Sequence, residues 1–161
     1  MSSNDPNIIK STKTNILNAT SLSATAATVV GTVKQLSEIG RCANSQIIIN
    51  STVLTIDGVN VTPGAIKGYD IIFFDTLPTG TYSNGSAAAI TTADQAKISG
   101  FTSHVNWIKT GTNSYVSQNT FANIPVMLVT NNLWILVVNR DSASSSASTA
   151  QFDLTTTISF V

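Results

Sequence analysis

The stretch Tyr69-Asp-Ile-Ile-Phe-Phe-Asp-Thr-Leu-Pro-Thr-Gly80 decides the fold of this chain. Its centre, Ile71–Phe74, is an unbroken run of β-branched and aromatic residues, which is typical of a strand buried on both faces in the middle of a sheet. Leu77 precedes a proline and is pushed out of helical backbone geometry, and Pro78 and Gly80 then turn the chain. The stretch therefore predicts a central strand that ends in a turn.

One helix signal follows this strand. Thr92 or Asp94 can cap a helix of one or two turns over residues 92–99, and Gly100 stands where a left-handed C-terminal cap is expected. The segment Thr25–Leu36 is rich in Val and Thr and is interpreted as a strand, although its alanines leave a helix as the alternative. The pattern predicts one short helix near 92–99.

The rest of the chain shows short strand patterns separated by turn residues. Besides 25–36 and the central strand, strands are predicted over 46–56, 101–107, 115–124, 126–129, 133–138 and 152–160. Asp57-Gly58 predicts a tight hairpin whose return begins at Val59, and Asn131-Asn132 predicts a second hairpin. Pro125 limits its own strand to an edge, a bulge or a strand start.

Alternation of apolar and polar residues predicts which strand faces are buried. In the last strand, one face holds Phe152, Leu154, Thr156, Ile158 and Phe160. In the strand over 101–107, Phe101, Val105 and Trp107 are expected in the core, and His104 is expected at the surface. Leu133–Val138 is apolar on both faces, so one of the two apolar strands is a candidate for a subunit interface.

These patterns together predict an all-β chain. Short strands, turn signals about every 8–12 residues and almost no helix are typical of an antiparallel β-sandwich or jelly roll. We expect one such domain over residues 23–161. Residues 1–22 have no periodicity, and their isolated apolar residues predict an extended N-terminal arm.

Composition excludes several classes of partner. Only 10% of the residues are charged, against about 25% on average. The net charge is zero and the eight Lys and Arg residues are spread singly, so we expect neither a nucleic-acid nor a membrane partner. Cys42 is the only cysteine, which excludes an internal disulfide. Because the N-terminus shows no signal-peptide pattern, we expect synthesis in the cytoplasm.

The sequence offers little for catalysis. It contains one histidine and eight scattered carboxylates, with no nucleophile, metal or phosphate-loop motif. Cys42 follows Arg41 in a loop and is interpreted as an ordinary thiol. A calcium site built from Asp75 and neighbouring carbonyls is a minor alternative. We therefore expect a protein that is not an enzyme and that has no cofactor and no metal.

Several motifs occur in an order known from one group of proteins. The strand ending in Phe74-Asp75 and Pro78-Thr79 is followed by Ala93-Asp94-Gln-Ala-Lys-Ile98-Ser-Gly100. Later come the tryptophan-bearing strand Leu133–Val138, a Ser/Ala loop over 141–150 and the alternating last strand. In this order, over residues 23–161, the chain resembles the small head decoration (cement) proteins of tailed bacteriophages; the N-terminal arm has no counterpart in that pattern.

The resemblance implies a structural virion protein with no catalytic residues. Such a protein binds the capsid exterior as a homo-oligomer, a dimer or a trimer, and holds together neighbouring capsomers of the major capsid protein. The predicted capsid contacts lie in the arm and are Ile8, Ile9, Lys10 and Ile16. Deletion of residues 1–22 is then expected to abolish capsid binding and to leave the body folded.

A different class of function stays open at this point. A carbohydrate- or receptor-binding sandwich, such as a module of a virion fibre or a surface adhesin, would also fit an all-β chain with few charges. This alternative predicts a shallow aromatic patch on the surface, for which Tyr69, Tyr82 and Tyr115 are the available rings.

Overall fold

A computed structural model describes residues 9–20, 26–58, 68–120, 122–140 and 150–161 of the chain. The elements are β1 (Ile9–Thr20), β2 (Thr28–Leu36), β3 (Gln46–Gly58), β4 (Tyr69–Phe74), α1 (Thr92–Gln95), β5 (Ile98–His104), β6 (Ile108–Lys109), β7 (Ser114–Asn119), β8 (Ile124–Met127), β9 (Leu133–Asn139) and β10 (Ala150–Phe160). The predicted all-β class with one short helix is confirmed.

The strands form two antiparallel sheets with a distinctive order. Sheet A runs β1-β10-β3-β7-β6, with β8 also beside β3, and sheet B runs β2-β9-β4-β5. The chain alternates between the sheets, so that β1, β3 and β10 lie in sheet A while β2, β4 and β9 lie in sheet B. The groups β1-β10-β3-β7 and β2-β9-β4-β5 have the strand order of a double-sheet jelly roll built from two Greek keys. The predicted jelly-roll sandwich is therefore confirmed by its topology.

The strand that was predicted to be central, β4, is central, and two other strands are also paired on both edges. β4 lies between β9 and β5, and β9 lies between β2 and β4. β10 lies between β1 and β3, and its side chains at Phe152, Leu154, Thr156 and Ile158 are buried as the alternation predicts. Each of these strands is paired on both edges, which is why its apolar residues could be recognised from the sequence.

The short helix is confirmed, but its caps differ from the prediction. Thr91 is the N-cap, and its hydroxyl accepts a hydrogen bond from the Asp94 backbone N–H at 3.2 Å. The helix ends at Ala96 in right-handed geometry, whereas Gly100 lies in β5 opposite Phe73. The Asp94 side chain does not cap the helix because its carboxylate accepts hydrogen bonds from an adjoining loop.

Neither predicted hairpin has the expected form. Asp57 and Gly58 are the last residues of β3 and pair with Gln151 and Ala150 of β10, and the expected return at Val59 lies outside the described residues. The Asn131-Asn132 segment connects β8 in sheet A to β9 in sheet B, so it crosses the sandwich. Pro125 is in β8, a four-residue strand that pairs with β3, which agrees with its predicted restriction.

The main core fills the space between the two sheets. Its largest fully buried side chains include Tyr69, Phe73, Phe152, Leu36, Ile39, Ile47, Ile49, Leu54, Ile56 and Ile71. The Tyr69 ring makes edge-on contacts with Trp107 and Phe152, at centroid distances of 5.8 and 5.2 Å. Burial of apolar area at about 25 cal/mol per Å² makes this layer the principal source of stability. Among the described residues, no helix has both the length and the apolar character to cross a membrane.

A second apolar cluster lies on the outer face of sheet B. Its buried members are Val29, Phe74, Tyr82, Leu136 and Val138. Residues 75–97, which we call the cover segment, connect β4 to β5 and fold over this face; the Val29 N–H donates to the Ser86 carbonyl at 2.8 Å, and Thr28 forms a β-bridge with Ala87. Most of the apolar face that was predicted to need a partner subunit is therefore covered by its own chain.

The N-terminal region differs from the predicted arm over residues 9–20. These residues form β1, which pairs along β10 from Ile9 opposite Ser159 to Thr20 opposite Ala150. Ile16 is buried in the main core with 2% of its surface exposed. Gly31 of β2 allows this approach, because a Cβ atom at that position would lie only 2.1 Å from the Ile16 carbonyl oxygen.

Candidate functional site

The faces of β5 are the reverse of the prediction. Phe101 and Val105 point outward with 68% and 51% of their surface exposed, while Thr102 and His104 are buried with 4% and 1% exposed. The predicted surface histidine and the predicted core phenylalanine were therefore both wrong. An exposed phenylalanine on a strand whose inward residues are polar is the largest departure from the hydrophobic pattern in the described chain.

Thr102 and His104, the inward polar residues of β5, each have a side-chain partner in sheet A, although the buried His104 Nδ1 has no hydrogen-bond partner among the described residues. The His104 Nε2 lies 2.9 Å from the Thr52 hydroxyl, and the Asn119 amide donates to the Thr102 hydroxyl at 2.6 Å. Gly100 precedes Thr102 on the same inward face of β5, and a Cβ atom added there would lie 2.4 Å from an Ile124 methyl group. The two sheets come close together at this rim, so small and hydrogen-bonded residues fill the interior and the bulky Phe101 is left outside.

Burial lowers the pKa of His104 from its ordinary 6.5 to about 4, and the Ser117 carbonyl opposes that shift only in part. The unfolded chain takes up this proton near pH 6.5 and the folded chain only near pH 4, so folding stability is constant above that window and falls as the pH drops through it. We expect a loss of about 3 kcal/mol in the free energy of unfolding.

Chemical denaturation between pH 7 and about pH 4 measures this loss. His104→Gln should remove most of the dependence of stability on pH in this range. Asp94 and Asp153 also have lowered pKa values, but the stability that their charged forms contribute is lost only as the pH falls below the ordinary carboxyl value of 3.8. Because His104 is the only histidine, its ring protons in NMR report the same pKa directly. A ring that titrates near 6.5 in the folded protein would contradict its burial.

The outward side of β5 continues an apolar surface across sheet B. Along one row of paired residues, Leu136 of β9 lies beside Ile72 of β4, which lies beside Phe101 of β5. The next row places Phe74 beside Ile98. The cover segment leaves this end of the sheet open, and a hollow of about 250 Å³ is lined by Asp70, Ile72, Ile98 and Phe101.

Asp70 is the one charged residue of this hollow. Its carboxylate accepts a hydrogen bond from Ser103 at 2.5 Å and lies 3.9 Å from the Arg140 guanidinium. The carboxylate is therefore engaged within its own chain, at the margin of the apolar rows. We call the surface formed by Ile72, Ile98 and Phe101 the β5 ledge.

A polar cleft lies on the other side of the same rim, between β5 and β7. It has a volume of about 320 Å³ and is lined by Ser103, Val105, Asn106, Ser117, Gln118, Asn119 and Thr120. Its side chains are amides and hydroxyls, with one exposed valine and no charged group. Such a lining can donate and accept hydrogen bonds to an uncharged polar ligand.

Asp94 organises the cover segment. Its buried carboxylate accepts hydrogen bonds from the Thr79 N–H at 2.7 Å, the Gly80 N–H at 2.8 Å and the Tyr82 hydroxyl at 2.8 Å. Lys97 adds an ion pair at 3.0 Å. Burial by itself would raise the pKa of Asp94, but these donors outweigh it and hold the pKa well below the usual range. The cluster joins both ends of the cover segment and has the features of a structural anchor.

The structure describes only part of the predicted capsid contacts. Ile8 lies outside the described residues, Ile9 and Lys10 begin β1, and Ile16 is in the core of its own chain. The Ile16 side chain is therefore buried by its own chain. Contacts of Ile8, Ile9 and Lys10 with a capsid remain a prediction. The β5 ledge was missed because the alternation of β5 was assigned to the opposite face; the absence of charge over residues 98–107 was its only sequence signal.

Other candidate sites can be placed in the same way. Tyr69, Tyr82 and Tyr115 are all buried, so the aromatic patch that a carbohydrate-binding surface would use was predicted wrongly. Cys42 is exposed in its loop. In the part of the chain that the structure describes, no three His, Cys, Asp or Glu side chains are grouped so that they could hold a metal ion.

Comparisons with known proteins found similarity in structure only. No protein-family model matches the chain, and no curated protein matches it in sequence. A chain from the structure of Cocksfoot mottle virus has 12% identity and a TM-score of 0.36, with 94% of this chain and 93% of that chain covered. For Turnip yellow mosaic virus the values are 14%, 0.33, 99% and 83%, and for Maize chlorotic mottle virus 14%, 0.31, 95% and 93%. At these scores the assignment of the fold rests on the strand order described above.

Proposed function

We propose that this chain is a non-enzymatic structural protein of a virus particle. The observation that carries the proposal is the jelly-roll strand order, β1-β10-β3-β7 against β2-β9-β4-β5, an architecture used by viral capsid proteins, lectins and cupins. The interior between the sheets is filled by aliphatic and aromatic side chains. Function is therefore expected on the outside of the sandwich, as in proteins that assemble by surface contact.

The finer proposal is a decoration protein on the exterior of a tailed-phage head. It is supported by the order of motifs over residues 23–161. It is also supported by the surface around β5, where Phe101 and Val105 are exposed and residues 98–107 include no Asp, Glu, Lys or Arg. The partner would be the major capsid protein, with contacts from the N-terminal residues Ile8, Ile9 and Lys10. A low-charge surface favours packing against identical or related subunits in a shell.

We expect deletion of residues 1–8, which removes Ile8 of the three proposed contacts, to weaken binding to phage heads while the midpoint of thermal unfolding stays within a few degrees of the full-length value. The reason is that β1 begins at Ile9, so its pairing with β10 is kept. Deletion of residues 1–22, by contrast, removes an entire strand together with the buried Ile16, and we expect that variant to unfold. Cosedimentation with heads that lack the protein measures binding, and circular dichroism measures folding.

Two controls separate the parts of this proposal. A chain in which residues 1–8 are replaced by a Gly/Ser sequence of the same length tests whether sequence or length matters. Cosedimentation of the truncated chain at the full-length level would overturn the contact by Ile8. Absence of the polypeptide from purified virions, measured by mass spectrometry, would overturn the virion function itself.

The polar cleft favours a second candidate function, a carbohydrate- or receptor-binding module of a virion fibre or adhesin. Its amide and hydroxyl lining suits uncharged, hydroxyl-rich ligands such as glycans. A glycan array tests this function with Gln118→Ala as the matched variant. Binding that the variant loses would favour the module, and an array without hits would leave the structural function as the better account.

A further inference from the structure

We propose that His104 is a pH-sensitive latch, whose protonation releases β5 from β3 and β7 and opens the rim of the sandwich while the two sheets otherwise stay folded. Opening of the rim is a change within one chain, so it goes beyond the proposed function and does not depend on it. β5 is suited to such a change because its contacts with the rest of the sandwich are mostly polar.

β5 has few apolar anchors in the core. No apolar side chain of residues 98–109, all of which the structure describes, is fully buried; Ile98 and Trp107 are only partly buried, and Phe101 is exposed. Among the described strands, β5 pairs with β4 alone, and a bulge at Ser99 interrupts that pairing. A strand with little apolar burial and one bonded edge separates at a lower free energy than strands inside a sheet.

Side-chain hydrogen bonds take the place of apolar contacts between β5 and sheet A. The His104 Nε2 and the Thr52 hydroxyl are 2.9 Å apart, and the Asn119 amide donates to the Thr102 hydroxyl at 2.6 Å. Both inward side chains of β5 are buried in the rim. His104 is the one titratable group in these two bonds, so the attachment of β5 depends on its charge.

The His104 ring has no carboxylate facing it among the described residues. The elements packed against β5 are β3, β4, β7 and β8, and their titratable side chains are Asp57, Tyr69, Asp70 and Tyr115. Asp57 accepts a hydrogen bond from Ser114 at the protein surface, and Asp70 accepts one from Ser103 on the outer side of sheet B. The other two are phenols. A proton on the ring therefore has no counter-ion in the closed rim.

Protonation makes both ring nitrogens of His104 hydrogen-bond donors. Nε2 can donate to Thr52, but the Ser117 carbonyl favours the proton only in part and makes no hydrogen bond of ordinary geometry with Nδ1. A buried charge without a partner is costly, and exposure of the ring to water removes that cost.

Opening of the rim is therefore linked to pH. The ring takes up a proton at its ordinary pKa of 6.5 when it is exposed, whereas burial in the closed rim holds its pKa at about 4. The ratio of open to closed molecules is constant above this window. It rises up to about tenfold for each pH unit within the window, and by about 300-fold in total.

The polar cleft marks the boundary along which the rim would open. Ser117 and Asn119 of β7, which lie beside His104 and Thr102, line this cleft together with Ser103 of β5. Movement of β5 away from β7 would widen the cleft beyond its volume of about 320 Å³. Acidification would thus enlarge an opening that is lined by hydroxyls and amides.

Thiol labelling measures the opening. In the Cys42→Ser background, Thr102→Cys places a thiol on β5 at a position that is 4% exposed, and Thr156→Cys places one at a fully buried threonine of β10, inside sheet A. The reagent 4,4′-dithiodipyridine reacts with thiols in acid, and each rate is divided by that of the same variant unfolded in urea. Between pH 7 and pH 4.5 we expect the relative rate at Thr102→Cys to rise about hundredfold. It should exceed the rate at Thr156→Cys at least about tenfold throughout.

Two further variants complete the test. His104→Gln should make the rate at Thr102→Cys independent of pH, because the amide can bond with Thr52 but takes up no proton. Ser117→Cys places a thiol on the sheet A side of the same boundary, where the side chain is 3% exposed. This second reporter leaves the Thr102 side chain in place, so the test stands even if Thr102→Cys does not fold.

Faster labelling at the boundary than at Thr156→Cys, with a pH dependence that His104→Gln removes, would support the latch. Equal rates at the boundary and at Thr156→Cys would show that the whole protein unfolds instead of the rim. A boundary rate that does not rise in acid, or a rise that survives His104→Gln, would show that the His104 ring does not control the opening. Each of these last results would overturn the proposal.

Discussion

Replacement of Asp94 by Ala is expected to lower the midpoint of thermal unfolding by about 10 °C. The substitution leaves the N–H groups of Thr79 and Gly80 and the Lys97 ammonium without their buried acceptor. Donors that lose their partner inside a protein bear the full cost of their burial. Since these donors hold both ends of the cover segment, we also expect the apolar cluster beneath it to become accessible to the dye ANS.

A graded series makes this prediction specific. Asp94→Asn keeps the shape, but its amide NH₂ faces donors, so it should resemble Asp94→Ala. Tyr82→Phe removes one hydrogen bond and should lower the midpoint by only about 2–4 °C. Asp75→Ala, at the start of the same segment, is the matched control and should change the midpoint by about 2 °C or less. Calorimetry gives all four values, and an Asp94→Ala protein as stable as the Asp75→Ala protein would refute the anchor.

Gly31→Ala is expected to destabilise the fold by about 3–5 kcal/mol, among the larger effects of a single substitution. Gly31 has a φ of 76°, a backbone geometry that costs a residue with a Cβ atom about 1–2 kcal/mol. The new methyl group would also lie 2.1 Å from the Ile16 carbonyl oxygen, so β1 and β2 would have to separate. Backbone atoms on both sides of the contact leave little freedom to relax.

A second glycine provides the control for this prediction. Gly85 has nearly the same φ, 78°, but lies exposed in a turn. Gly85→Ala should therefore cost about 1–2 kcal/mol, and the difference between the two variants isolates the contact with β1. Urea denaturation measures both free energies. Equal costs at the two positions would show that the close approach of β1 to β2 contributes nothing.

The sequence predicted the parts of the fold whose strands lie inside a sheet. Ile71–Phe74, Leu133–Val138 and Phe152–Phe160 are paired on both edges, and their apolar residues report burial directly. Turn signals were less reliable, because Asp57-Gly58 can continue a strand when β10 supplies partners. Such pairing involves residues far apart in the chain, and local patterns do not contain it.

The candidate site was predicted poorly for a related reason. Alternation in β5 identifies two faces but not which one is inward. The rule that polar residues face water failed for Thr102 and His104, because each has a side-chain hydrogen-bond partner inside, Asn119 for Thr102 and Thr52 for His104. The cover segment was equally hidden, since a loop gives no periodic signal of the face on which it lies. The start of the short helix was located correctly, but the helix ends at Gln95, and residues 98–99 of the predicted range belong to β5.

The position of β10 has a consequence for synthesis of the protein. This strand separates β1 from β3, although β1 is made first and β10 is made after every other strand. Sheet A therefore cannot assemble on the ribosome until translation has passed Phe160 and the exit tunnel has released that segment. For nearly the whole of translation, β1 and β3 therefore lack the strand that joins them.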